Sequence, residues 1–161
     1  MEIKKIVIGS DHAGFDEKER ARHELEALGV EVEDKGTFSN ESVDYPDYAA
    51  AVGRAIASGE AERGVLVCGS GIGVAIAANK IPGVRAAVCW NDETARLARE
   101  HNDANVICIG SRQVEPSVAA QMIRTFLETD FAGGRHARRV EKIKELEENC
   151  LREKGAWKGS A

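Results

Sequence analysis

Residues 68–73 read CGSGIG, a cysteine and three spaced glycines between the apolar run GVLVC and the small-residue run VAIAANK. Where a strand hands over to a helix, such a stretch has three uses: a tight turn, a cradle for an anion, or a seat for a reactive thiol. Successive backbone N–H groups with no side chains over them make an anion site. The field of the same amides favours a thiolate over a thiol. A thiolate beside such donors can take a proton from carbon next to a carbonyl, and the donors then hold the enolate that results. The plainer alternative is that Cys68 is a small buried hydrophobe, as free cysteines generally are.

The spacing rules out several familiar loops. A dinucleotide site needs G-x-G-x-x-G after the first strand, but here the pattern is G-x-G-x-G after the third. A P-loop needs G-x-x-x-x-G-K-[ST], and Lys80 stands too far on and is followed by Ile81. A phosphatase of the C-x5-R type would need arginine at position 74, which is Val74.

Other chemistry-bearing groups sit at similar junctions. Asp11 and His12 follow the first apolar run; they are either part of a site or a helix-capping aspartate beside a solvent-facing histidine. His101, in HND at 101–103, is either an acid–base group or a histidine at a helix end. In GGRHARR at 133–139, Arg135 and Arg139 lie four apart, on one face once a helix has begun. Two guanidinium forks on one face suit a phosphate monoester, although a solvated basic turn has the same composition. Arg112 ends the fifth run and is a possible third donor. The histidines are scattered singly and no cysteine spacing matches a zinc or facial-triad pattern, so no metal is expected. The residues describe metal-free proton transfer on a small phosphorylated carbonyl compound.

The elements that must carry these groups are legible from the apolar runs. IVIG 6–9, VEVED 30–34, GVLVC 64–68, VRAAVC 84–89 and NVICIG 105–110 read as strands. Helical patterns of about ten to sixteen residues separate them, as in βαβ units. The stretch 13–28 places Phe15, Ala21, Leu25 and Leu28 on one face, and Gly29 stands where a C-terminal glycine belongs. Five almost continuously apolar strands predict a parallel sheet with helices on both faces, an α/β sandwich. Two more helices follow. Residues 115–128 carry Val118, Met122 and Phe126 along one side, and residues 136–153 carry Val140, Ile143, Glu147 and Cys150. The second stripe is thin, which suits a helix lying across a neighbouring subunit. In open parallel sheets ligands bind beyond the carboxyl ends of the strands, and SDHAG, CGSGIG, WND and GSR all fall there.

The bulk composition fits one domain, residues 1–150, with 151–161 expected as a flexible tail. The chain has 161 residues, 43% of them hydrophobic and 30% charged, enough to bury a core. A net charge of −5 and only 5% aromatic residues offer nothing to nucleic acid. No run approaches the ~20 apolar residues of a membrane span. The N-terminus reads as a first strand, not as a signal peptide, so reduced thiols in a cytoplasm are expected.

Taken together, GSDHAGF, DYPDYA, CGSGIGVAIAANKIPGVRAAVCW, HNDANVICIGSR and GGRHARRV resemble the type B ribose-5-phosphate isomerases, a group that also includes galactose- and allose-6-phosphate isomerases. The resemblance runs from about residue 3 to 145. It implies a Rossmann-like three-layer α/β/α sandwich and aldose–ketose interconversion through a cis-enediolate, without metal or organic cofactor. By this resemblance Cys68 corresponds to the cysteine that moves the proton between C1 and C2. Members without that cysteine use a glutamate six positions later, where this chain has Val74. Ser70 corresponds to the hydroxyl that relays protons between O1 and O2, and the amides of Gly69, Gly71 and Gly73 would hold the enediolate. His101 corresponds to the residue that opens the sugar ring, assisted by Asp11. Asn102 and Tyr45 correspond to sugar contacts, and His12, Arg112, Arg135 and Arg139 to the phosphate set. Family members are dimers, sometimes dimers of dimers, with a shared active site, so His101 and Asn102 would reach the Cys68 of another copy.

Ribose 5-phosphate is the leading expected substrate, with a hexose 6-phosphate as the alternative. A non-catalytic sugar-phosphate sensor would be expected to have lost Cys68 or His101. A thiol redox protein would be expected to hold a second cysteine near Cys68 in sequence.

Overall fold

The computed structural model describes residue 3 and residues 5–157. Five strands, β1 (Lys5–Ser10), β2 (Glu31–Asp34), β3 (Arg63–Cys68), β4 (Ala86–Cys89) and β5 (Val106–Gly110), alternate with helices. These are α1 (Phe15–Ala27), α2 (Tyr45–Ala57), α3 (Ile72–Ala78), α4 (Asp92–Asn102), α5 (Pro116–Glu128) and α6 (Arg135–Trp157). All pairings are parallel, in the order β2-β1-β3-β5-β4. The expected five-stranded parallel sheet and three-layer α/β/α sandwich are present.

Continuous apolar strands make sense because both faces are covered. On one face Ile6, Ile8, Val65, Val67, Ile107 and Ile109 pack against α1, α4 and α5. On the other, Val7, Leu66, Cys68, Val106 and Cys108 pack against α2 and α3. The chain leaves β1 for β2 on one side and β3 on the other, so the strand order reverses there. A crevice at the carboxyl ends is the geometric consequence.

Helix α1 shows where periodicity alone misleads. Ala21 and Leu25 are buried as expected, but Leu28 is exposed. The helix stops at Ala27, and Gly29 (φ 81°) turns the chain away. The N–H groups of Gly29 and Val30 bond back to the carbonyls of Glu26 and Leu25 at 3.0 and 3.1 Å, a glycine-terminated helix end. Lys18 takes a place in the interior instead. Its buried ammonium donates to Asp34 at 2.5 Å and Glu19 at 2.9 Å, and it faces the rings of Phe15 and Phe38. A buried charge is tolerated only with such partners.

Helix α6 is longer than its apolar stripe suggested, running to Trp157. The expected tail is therefore helical over its first residues, and positions 158–161 lie outside the described residues. Val140 is buried, whereas Ile143, Leu146 and Leu151 are exposed.

The strand ends are held together by backbone contact. Gly14, just before α1, lies so close to β3 that a Cβ there would stand 2.4 Å from the Val67 carbonyl oxygen. Gly14→Ala should destabilise the protein by about 1–3 kcal/mol, the usual cost of overpacking. This would be read as a lower denaturant midpoint with unchanged slope, and an unchanged midpoint would show that the loop yields freely.

Candidate active site

Three loops meet beyond the carboxyl ends of β1, β3 and β5. Ser111 and Arg112 donate their N–H groups to the carbonyls of Cys68 and Gly69 at 2.8 and 3.1 Å. The Ser111 hydroxyl donates to the Ala13 carbonyl at 2.8 Å. Between the loops is a cavity of about 360 Å³, within the usual size of a small-molecule site. Asp11, His12, Tyr45, Cys68, Ser70 and Arg112 line it, together with Gly69 and Gly73.

Backbone N–H groups hold several of these side chains, most of them from the same loop. Asp11 is buried, and its Oδ1 accepts the Gly14 N–H at 3.0 Å; it tethers the turn before α1 rather than capping the helix. His12 Nδ1 accepts the Val43 N–H at 3.1 Å, which leaves Nε2 to carry the ring proton. The Ser70 hydroxyl oxygen accepts the Ile72 N–H at 3.2 Å.

Cys68 is buried at the end of β3, and its Sγ accepts the Gly71 N–H at 3.1 Å. Gly71 reaches that position at φ 76°, with the β5 backbone only 3.0 Å from where a Cβ would stand, so no other residue fits there. Two more glycines give room to side chains. A Cβ on Gly69 would meet the Arg112 guanidinium at 3.1 Å, and one on Gly73 the Tyr45 ring at 2.7 Å. The N–H groups of Gly69, Ser70 and Gly73 have no acceptor among the described residues. They are donors ready for an anion.

The remaining expected site residues gather elsewhere. His101 and Asn102 end α4, and Arg135 and Arg139 open α6. Both lie near the amino ends of the strands, since Asp103–Asn105 lead directly into β5 and Asn105 bonds to Arg85 ahead of β4. The five residues of β5 separate the two clusters by roughly 17 Å at about 3.3 Å per residue. Within one chain, Cys68 and His101 therefore do not meet.

This second cluster has its own framework. The buried Arg99 guanidinium donates to the carbonyls of Thr129 at 3.2 Å and Ala104 at 2.5 Å, and to the Asp103 carboxylate at 2.9 Å. It ties the end of α4 to the start of β5 and the end of α5. The His101 ring stacks on His136, with centroids 4.2 Å apart and planes inclined by 8°. Partial desolvation, then the neighbouring His101, Arg135 and Arg139, hold the His136 imidazole below its ordinary pKa. Sequence reasoning passed over His136, although it stands between two arginines that were singled out. Gln113 was missed as well and lines the cavity beside Arg112. Among the described residues no three His, Cys, Asp or Glu side chains group in a way that would hold a metal ion. No described helix is long and apolar enough to cross a membrane.

The four cysteines are free, and their surroundings differ. Burial pushes the Cys89 thiol up to about 11 and raises Cys108 well above the ordinary thiol range.

Comparison with known proteins places these features in a family context. A model of the ribose/galactose isomerase family matches residues 6–143. The ribose-5-phosphate isomerase B of Escherichia coli is 47% identical over 146 residues, covering 91% of this chain and 98% of that protein. The Listeria innocua ribose-5-P isomerase B is 39% identical over 144 residues, 89% of this chain and 97% of that one. The solved structure of Clostridium thermocellum ribose-5-phosphate isomerase B superposes with a TM-score of 0.89 at 52% identity, covering 90% of this chain and 98% of that one. The type B ribose 5-phosphate isomerase of Trypanosoma brucei gives 0.85 at 51% identity, covering 90% and 99%.

The thiol environments give a direct test. In the native protein, iodoacetamide at neutral to mildly alkaline pH should label the exposed Cys150 and the cavity-lining Cys68. Cys89 and Cys108 should react only after denaturation, because reaction requires thiolate and access. Native-state labelling of Cys89 or Cys108, mapped by mass spectrometry, would contradict this ordering.

Proposed function

Because the chain belongs to the ribose/galactose isomerase family, we propose that it interconverts ribose 5-phosphate and ribulose 5-phosphate through a cis-enediolate, with Cys68 as base. The observation that carries this reading is the Cys68 sulfur, held by the Gly71 N–H at 3.1 Å in a cavity that also presents Arg112, His12 and unpaired loop amides. A base, an oxyanion-holding backbone and donors to phosphate, one of them a guanidinium, within one cavity are what the reaction needs.

In this mechanism the sugar ring opens to the free aldehyde: the C1 hydroxyl loses its proton, the bond from C1 to the ring oxygen breaks, and that oxygen gains a proton, with His101 of another copy moving the proton and Asp11 assisting. The Cys68 thiolate takes the proton from C2, and the electron pair moves into the C1–C2 bond while the carbonyl becomes an enediolate oxygen. The amides of Gly69, Ser70 and Gly73 stabilise that oxygen. Ser70 carries a proton between O2 and O1, and Cys68 returns its proton to C1. No atom or electron is gained or lost overall, so the route needs no oxidant or reductant, and the loop amides supply the stabilisation of the enediolate oxygen that a metal ion would otherwise give. His12, Arg112, Arg135 and Arg139 hold the phosphate, and Tyr45 and Asn102 contact the sugar.

The division of the site between opposite ends of the sheet supports a homodimer, or a dimer of dimers, with shared active sites. The exposed apolar residues of α6 support it as well. Free thiols throughout the chain fit a reducing cytoplasm.

Purified protein should isomerise ribose 5-phosphate in the presence of a chelator, and Cys68→Ala should abolish turnover while substrate still binds. Near-normal turnover in the variant would remove Cys68 as base. Inactivity of the wild type towards ribose 5-phosphate would move the search to six-carbon sugar phosphates.

Shared sites make a second expectation. Cys68→Ala and His101→Ala chains, each inactive alone, should recover about a quarter of wild-type turnover after subunit exchange. Half of randomly mixed dimers are hybrids with one intact site of two. Absence of recovery in mixtures shown to exchange subunits would place Cys68 and His101 in independent roles.

A further inference from the structure

Gln113 has no part in the mechanism above, yet it stands on the same cavity wall as Cys68, Ser70 and Arg112. Its backbone is fixed, because the Gln113 N–H donates to the Gly110 carbonyl at 3.0 Å. Its stem lies over Gly110. Gly110 has no side chain, and Gln113 Cγ lies 2.8 Å from where a Cβ on that residue would stand. The same position is 2.7 Å from the Ser70 carbonyl, so the Gln113 stem runs beside the loop that carries the reacting groups. The carboxamide at its end has no hydrogen-bond partner among the described residues. By contrast, Asp11, His12, Cys68 and Ser70 all accept a bond from a backbone N–H, His12 from Val43 and the others from their own loops.

From this placement we propose that Gln113 is a substrate-contacting residue that recognises a hydroxyl of the sugar chain. The chemistry distinguishes a hydroxyl from the phosphate. A carboxamide both donates and accepts, which matches a C–OH group that does the same. A phosphate dianion only accepts, and the charged side chains assigned to it are stronger partners. Gln113 therefore fixes the orientation of the carbon chain between the phosphate anchor and Cys68. The inference rests on the sugar-phosphate reading of this cavity.

The test is a pair of calorimetric titrations, of ribose 5-phosphate and of inorganic phosphate, into the full chain carrying Cys68→Ala, with and without Gln113→Met. The substitution keeps the length of an exposed side chain and removes its hydrogen bonds. Ribose 5-phosphate should bind about fivefold more weakly without the carboxamide, the usual worth of one neutral hydrogen bond, and phosphate should bind equally to both. With Cys68 in place, Gln113→Met should raise KM by a similar factor and leave kcat nearly unchanged. Equal ribose 5-phosphate affinity in the two chains overturns the inference. An equal loss for both ligands also overturns it, by moving the contact to the phosphate. Failure of the underlying reading has a different signature: no ribose 5-phosphate binding even with Gln113 present, and no turnover by the wild type.

Discussion

Three strand ends approach one another at backbone distance, and the rest of the site depends on that approach. Gly14 lies against the β3 carbonyl of Val67, Gly71 against the β5 backbone, and Gly110 against Ser70. Each contact leaves no room for even a methyl group. Cross-loop hydrogen bonds from Ser111 and Arg112 then lock the β5 turn onto the cysteine loop. Because these close contacts between strand ends set their backbone positions, Cys68, Ser70 and Arg112 meet the proposed function's need for groups that reorganise little as charge develops. The glycines serve geometry first, and their exposed amides are a consequence of the same absence of side chains.

The same parallel topology that gathers one cluster of candidate groups at the carboxyl ends of the strands keeps the other at the amino ends; in the proposed function the two are halves of one site. In a βαβ arrangement the helices return the chain to the amino ends of the strands. A residue at the end of α4 is thus a sheet-length from one at the end of β3. His101, His136, Arg135 and Arg139 form an ordered group with Arg99 beneath it, but one that faces away from Cys68 in its own chain. A second copy is the economical way to join two such halves. The exposed apolar side chains of α6 and of α3, where Ile72 and Ile76 are exposed, are surfaces such a copy could cover.

Much of this was legible in the sequence because strong local signals agree with the fold. Five apolar runs became five parallel strands with boundaries shifted by one or two residues, and Gly29 ended α1 as expected. The cysteine and glycines of CGSGIG, with Asp11, His12 and Arg112, met at one crevice, as the rule for carboxyl strand ends requires. What periodicity could not show was set by tertiary contacts. Lys18 is buried because Asp34 and Phe38, distant in sequence, converge on it beside its neighbours Glu19 and Phe15. Gln113 joins the cavity through the missing side chain of Gly110, and His136 matters through a ring on another helix. Neither contact leaves a trace in local spacing. The length of α6 was also hidden, since a charged helix with few apolar anchors resembles a tail.

The cysteines show how position rather than residue type selects chemistry. Cys108 lies on the same face of the sheet as Cys68, two residues short of the strand end opposite it. There, desolvation first, and then the neighbouring Cys89 and Cys68, raise its thiol well above the ordinary range. Cys89 also ends a strand, but no backbone N–H is directed at its sulfur; its thiol instead turns back to the Ala87 carbonyl, and burial raises it to about 11. Cys68 differs in having a donor aimed at the sulfur and a cavity in front of it. The distinction lies in the third residue after the cysteine: a glycine at position 71, at a positive φ, brings its N–H to 3.1 Å from the sulfur. In the proposed function it is the turn after Cys68 that fits a thiol to act as base.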